Sequence, residues 1–173
     1  MKNVLFIAAI LLLVSCNSGE TESTQAEAAP KDRAIGFNTM LPELKFHLGT
    51  EAAIKVVKDL NELWVAEDYD AMRGLFADTA KFYFNDGNIA SSADEFIKLL
   101  KGDNGEEHTW EFDYAYSVDL DPSKGGEHVQ AGFSGTMVKD GVESKNKVHE
   151  SYYIVEGKIV MWTQYKLDVK EKK

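Results

Sequence analysis

The chain has 173 residues, with 29 acidic against 19 basic side chains and a formal charge of −10. Arg33 and Arg73 are its only arginines and no basic stripe runs through it, which excludes nucleic-acid binding by phosphate neutralisation. One cysteine excludes a disulfide framework, so the fold must hold by packing.

Lys2 precedes an unbroken apolar run from Val4 to Val14, too short for a membrane span of about 20 residues but suited to a secretion signal. Leu13-Val14-Ser15 leads into Cys16, an order that resembles the lipobox of bacterial lipoproteins. The resemblance implies removal of residues 1–15 as a signal peptide. Cys16 then becomes a lipidated, palmitate-bearing N-terminus, which leaves no thiol for metal binding or nucleophilic chemistry. Several acyl chains, at about 0.8 kcal/mol per buried methylene, give durable attachment. The expected location is the bacterial cell envelope, and Asn17 after the cysteine is compatible with the outer membrane.

Residues 16–36 form the lipidated cysteine and a tether. Asn17 to Pro30 carries no aromatic or branched apolar side chain and cannot bury enough surface to order itself. The domain is expected over 37–170, with 171–173 as a solvated tail. Residues 31–48 are ambiguous: Phe37, Met40, Leu41, Leu44, Phe46 and Leu48 suit an irregular lead-in or a short helix. Thr50 reads as the cap of a helix to about Ala66, with Ala53, Val56, Val57, Leu60, Leu63 and Trp64 on its apolar face. Asp68 caps a second short helix, and Lys81 to Phe84 suits a short strand. Ser92 with Glu95 forms a capping box before a third helix.

After residue 106 the period becomes two. Trp110, Phe112, Tyr114, Tyr116 and Val118 share one face of a long strand. Strands over His128–Val138, Glu143–Val155 and Lys158–Val169 follow, turning at Asp140-Gly141 and Glu156-Gly157. Gly132 and Gly135 are candidate points for curving the second of them. Helices first and a meander afterwards argue for an α+β fold.

Trp64-Val-Ala-Glu-Asp68-Tyr-Asp70 and Leu75-Phe-Ala-Asp78-Thr-Ala80, with the closing Glu156-Gly157-Lys158-Ile159, Trp162 and Tyr165, resemble the nuclear transport factor 2-like (NTF2-like) superfamily, in its SnoaL-like branch. The resemblance spans about residues 50–168. It implies a cystatin-like cone: N-terminal helices packed in a strongly curved antiparallel sheet, with a pocket at the open end and dimerisation through the outer face. Ketosteroid-isomerase-like members carry an acidic base where Phe84 stands here and a catalytic tyrosine where Leu60 stands, so that chemistry is not expected.

No histidine spacing suits a metal, and no cofactor is implied. His149 lies mid-strand, and a neutral His149 beside Asp113 would make an acid–base pair. Trp64, Phe84, Trp110, Tyr114, Tyr116, His149, Trp162 and Tyr165 are the candidate pocket-lining residues. The reading that follows is a membrane-anchored, non-catalytic domain binding a small hydrophobic ligand or a protein partner. The alternatives are a cofactor-free SnoaL-like isomerase, dehydratase or hydrolase using the His149–Asp113 pair, and a structural homodimer subunit.

Overall fold

The computed structural model describes residues 34–102, 107–139 and 141–170. The signal peptide, Cys16, the tether to residue 33, Asp140 of the expected hairpin and the 171–173 tail lie outside the described residues.

Among the described residues, three helices form where the caps and apolar faces require them. Helix α1 runs Glu51–Val65, and the Thr50 side chain accepts the Ala53 N–H at its start. Ala53, Val57 and Leu60 give it one buried face. Helix α2, Tyr69–Arg73, is capped by Asp68. Helix α3, Ala93–Gly102, begins with a reciprocal box in which Ser92 Oγ accepts the Glu95 N–H and Glu95 accepts the Ser91 N–H.

Among the described residues, seven strands make one sheet: β1 His47–Leu48, β2 Phe76–Tyr83, β3 Ile89–Ala90, β4 Glu107–Asp119, β5 Glu127–Lys139, β6 Val142–Val155 and β7 Lys158–Val169. Their order is β1-β4-β5-β6-β7-β2-β3. The strongly curved antiparallel sheet expected from the sequence is therefore corrected: the sheet is mixed and open. Strand β2 lies parallel to β7, with Phe82 opposite Trp162 and Tyr83 opposite Thr163. The two edges are the two-residue strands β1 and β3, which do not meet. Parallel pairing arises because β2 enters from the helical segment rather than from a hairpin with its neighbour. β2 also starts at Phe76, earlier than the Lys81 expected.

The β4–β5 register shifts on β4, opposite Phe133 and Gly132 of β5. Phe112 pairs with Phe133 and Tyr114 with Gly132, leaving Asp113 as the extra residue of a bulge. One extra residue reverses the alternation. Trp110 and Phe112 pack with the helix-side core, whereas Tyr114 and Tyr116 are half exposed on the opposite face. Gly132 makes room for this, since a Cβ there would sit 2.2 Å from the Tyr114 ring.

Helices α1 and α3 cover one face of the sheet. Between them lies an aromatic core in which Phe82 stacks on Phe96 at 4.2 Å and Trp162 meets Phe96 edge-on at 5.3 Å. A polar latch fixes α1 on this face. Glu127 accepts from Thr50 N–H at 2.6 Å, Thr50 Oγ1 at 2.7 Å and Ser117 Oγ at 2.6 Å. Burial opposes ionisation of Glu127, but the hydrogen bonds from Ser117 and Thr50 outweigh it and hold its carboxyl below the ordinary value. The stability this contributes is present above the ordinary carboxylate range and is lost as pH falls through the lowered folded pKa. Glu127→Ala is expected to cost about 1–3 kcal/mol in urea unfolding at pH 7 and to flatten acid denaturation.

Candidate functional site

The helix-covered face of the sheet holds a cleft of ≈ 1370 Å³. Leu60 and Trp64 of α1, Leu99 and Leu100 of α3, Trp110 of β4 and Phe133 of β5 supply apolar walls, and Phe84 to Ile89 bring the β2–β3 turn to the rim. Trp110 is oriented by its indole N–H, which donates to Asn61 Oδ1 at 2.8 Å. Trp64 lies edge-on to Trp110 at 6.3 Å, so two large rings stand together along one side. Asp86, at the rim, accepts the Asn88 N–H at 2.9 Å and serves its turn.

A buried acid, Glu150, 6% exposed, lines the cleft from β6. Two strands converge on its carboxylate. Tyr152, two residues along the same face of β6, donates its hydroxyl to Oε2. Gln164, the cross-strand partner of Glu150 on β7, donates Nε2–H to Oε1 at 3.0 Å. Burial pushes the Glu150 carboxyl up from the ordinary 4.5. The hydrogen bonds from Tyr152 and Gln164, the nearby Trp162 indole and the charge of His149 oppose this without offsetting it. Burial, then the Glu150 charge, pushes the Tyr152 phenol well above 10. Trp162 Nε1 lies near the pair yet is buried without a well-formed hydrogen bond among the described residues.

Trp64, Phe84, Trp110 and Trp162 line this cleft. Tyr114, Tyr116, His149 and Tyr165 lie on the other face of the sheet, where Tyr114 stacks over Tyr116 and His149 tilts against Tyr165. His149 and Asp113 have separate partners. The His149 ring meets Tyr114 Oη at 3.3 Å and Gln130 Oε1 at 2.9 Å. Asp113 accepts from Ser134 at 2.6 Å and pairs with Lys147 at 3.4 Å. Sequence reasoning passed over Glu150. Its signal was an acid in register with Val148, Tyr152 and Ile154, the apolar face of β6.

No family profile and no curated protein matches the chain. Among solved structures it is similar to the S. rosetta CaMKII hub, with a TM-score of 0.59 at 12% identity over 68% of this chain and 95% of that one. An LEH-like epoxide hydrolase from M. tuberculosis gives 0.56 at 14% identity, covering 68% and 84%. An NTF2-like protein from Burkholderia xenovorans gives 0.54 at 17% identity, covering 71% and 88%. At such identities the likeness establishes an NTF2-like fold and nothing of activity.

Proposed function

We propose that this chain, NTF2-like in fold, binds a small and largely apolar ligand in the cleft between α1, α3 and the sheet, and does so at the cell envelope through lipidated Cys16. One observation carries the reading: rings from α1, β4 and β7 line one cleft together with the buried carboxyl of Glu150. Such a site favours a ligand with an apolar body and one polar end reaching Glu150. An anionic end is disfavoured once Glu150 ionises, and a neutral hydroxyl or carbonyl end is not.

Trp64, Trp110 and Trp162 all line the cleft, so intrinsic fluorescence reads occupancy directly. Titration with medium-chain alcohols and ketones should give saturable quenching at one site per chain. Val148→Phe, which sets a ring beside Phe133 on the cleft face of β6, should weaken it at least tenfold while the protein stays folded. Linear quenching without saturation would sink the reading. The anchor is tested separately: Cys16→Ser should move the protein from membranes to the soluble exported fraction.

Glu150 also favours a second reading, a cofactor-free acid–base enzyme. A carboxyl whose proton affinity burial raises can serve as a proton donor or acceptor to a bound ligand. In that case turnover of a bound ligand should vanish in Glu150→Gln while His149→Ala leaves it unchanged.

A further inference from the structure

The segment from Ile35 to Phe46 takes no part in the cleft, and it pairs several of its backbone polar groups internally. Ile35 and Phe46 exchange both hydrogen bonds, at 3.0 and 2.8 Å. Asn38 Oδ1 accepts the Met40 N–H at 2.9 Å, and Leu44 N–H reaches Leu41 O at 3.0 Å. Lys45 Nζ donates to Gly36 O at 2.9 Å. At Gly36, φ is +83° and a Cβ would meet the Phe46 ring at 2.9 Å, so both backbone and space demand glycine.

This closed loop holds four apolar side chains outward. Phe37 is 78% exposed and Met40 87%, beside exposed Ile35 and Leu41. Scattered apolar side chains on a surface are ordinary, but several on one hydrogen-bonded loop mark a contact site. Two further facts name the occupant. Only 18 positions separate Cys16 from Ala34, so the loop begins within roughly 60 Å of extended chain from the lipidated residue. Between Lys31 and Leu48 there are three cations against two acids, in a chain of net charge −10. An anionic surface does not repel this stretch as it repels the chain as a whole.

We infer that the 35–46 loop is a second membrane contact, dipping Phe37 and Met40 into the lipid headgroup region and orienting the domain on the surface. The inference rests on the Cys16 anchor proposed above. Its closed hydrogen bonds suit that depth, because backbone groups unpaired in a bilayer are costly. A single acylated residue fixes position without orientation, and the loop supplies the second point.

The full acylated chain can be reconstituted in phosphatidylethanolamine–phosphatidylglycerol vesicles and spin-labelled at Met40→Cys, with exposed Val142→Cys as control. With Cys16 acylated, each variant carries one thiol. The expected result is a label at 40 whose oxygen accessibility exceeds that to an aqueous nickel chelate at least twofold, with the reverse at 142. Flotation with an aqueous label at 40 overturns the loop contact alone. A label at 40 that is immobilised but closed to oxygen indicates protein rather than lipid and also overturns it. Failure to float, with an unacylated N-terminal peptide by mass, overturns the anchor and the inference together.

Discussion

Trp162→Ala is expected to lower folding stability by about 3–5 kcal/mol, the largest effect of any single truncation in this domain. The indole is 1% exposed and is met by Phe84 at 5.2 Å, Phe96 at 5.3 Å, and Trp64 and Phe82 at 6.4 Å. It is also the cross-strand neighbour of Tyr152 on one side and of Phe82 on the other, so it joins the antiparallel meander to the parallel strand. Loss of about 4 kcal/mol from a domain whose total is about 5–15 kcal/mol leaves a marginal fold. Trp162→Phe should cost far less, about 1.5 kcal/mol or below. It keeps a ring in the cluster and deletes an indole N–H that makes no well-formed hydrogen bond among the described residues. Guanidinium unfolding of the two variants distinguishes them. Equal and small costs would mean that the α3–β7 cluster is not the centre of the core.

Much of this fold was readable because local chemistry announces it. Thr50, Asp68 and the Ser92–Glu95 box start the three helices where the sequence places them, and Glu156-Gly157 turns β6 into β7 with φ of +51° and +74°. Pairing partners were not readable, because a strand's periodicity does not encode which edge it will join. β2 therefore came as a parallel neighbour of β7, and the sheet remained mixed and open where the resemblance implied strong antiparallel curvature. Side assignment failed at one residue. Asp113 looks like an ordinary outward position in the run from Trp110 to Val118, yet as the bulge residue it sends Tyr114 and Tyr116 to the face opposite Trp110. The same local reading valued a mid-strand histidine above its neighbour. His149 faces Gln130 and Tyr114 on the exposed side, and Glu150 holds the cleft.

Glu150→Gln should stabilise the protein at neutral pH while converging with the parent in acid. The sign follows from the direction of the shift. The folded carboxyl keeps its proton to higher pH than the unfolded one, whose ordinary value is 4.5. Below that value both states are protonated and this group adds no slope. As pH rises above it, the unfolded chain ionises while the folded one still holds its proton. Stability then falls by about 1.4 kcal/mol per pH unit until the raised folded pKa is reached. Glutamine removes that window and can keep a hydrogen bond to Tyr152. Glu150→Ala cannot, and it strands the Tyr152 hydroxyl and the Gln164 amide, at a cost of about 1–3 kcal/mol at every pH. Two variants at one position, one rising and one falling against the parent, separate ionisation from packing. If urea midpoints of Glu150→Gln and parent run parallel from pH 4 to 8, Glu150 titrates normally and has no special proton to offer a ligand. A gap that opens with pH, together with a shift in cleft affinity over the same window, would mean that the cleft keeps an acid its own fold would be more stable without. That is the relation expected of a residue retained for binding or proton transfer rather than for stability.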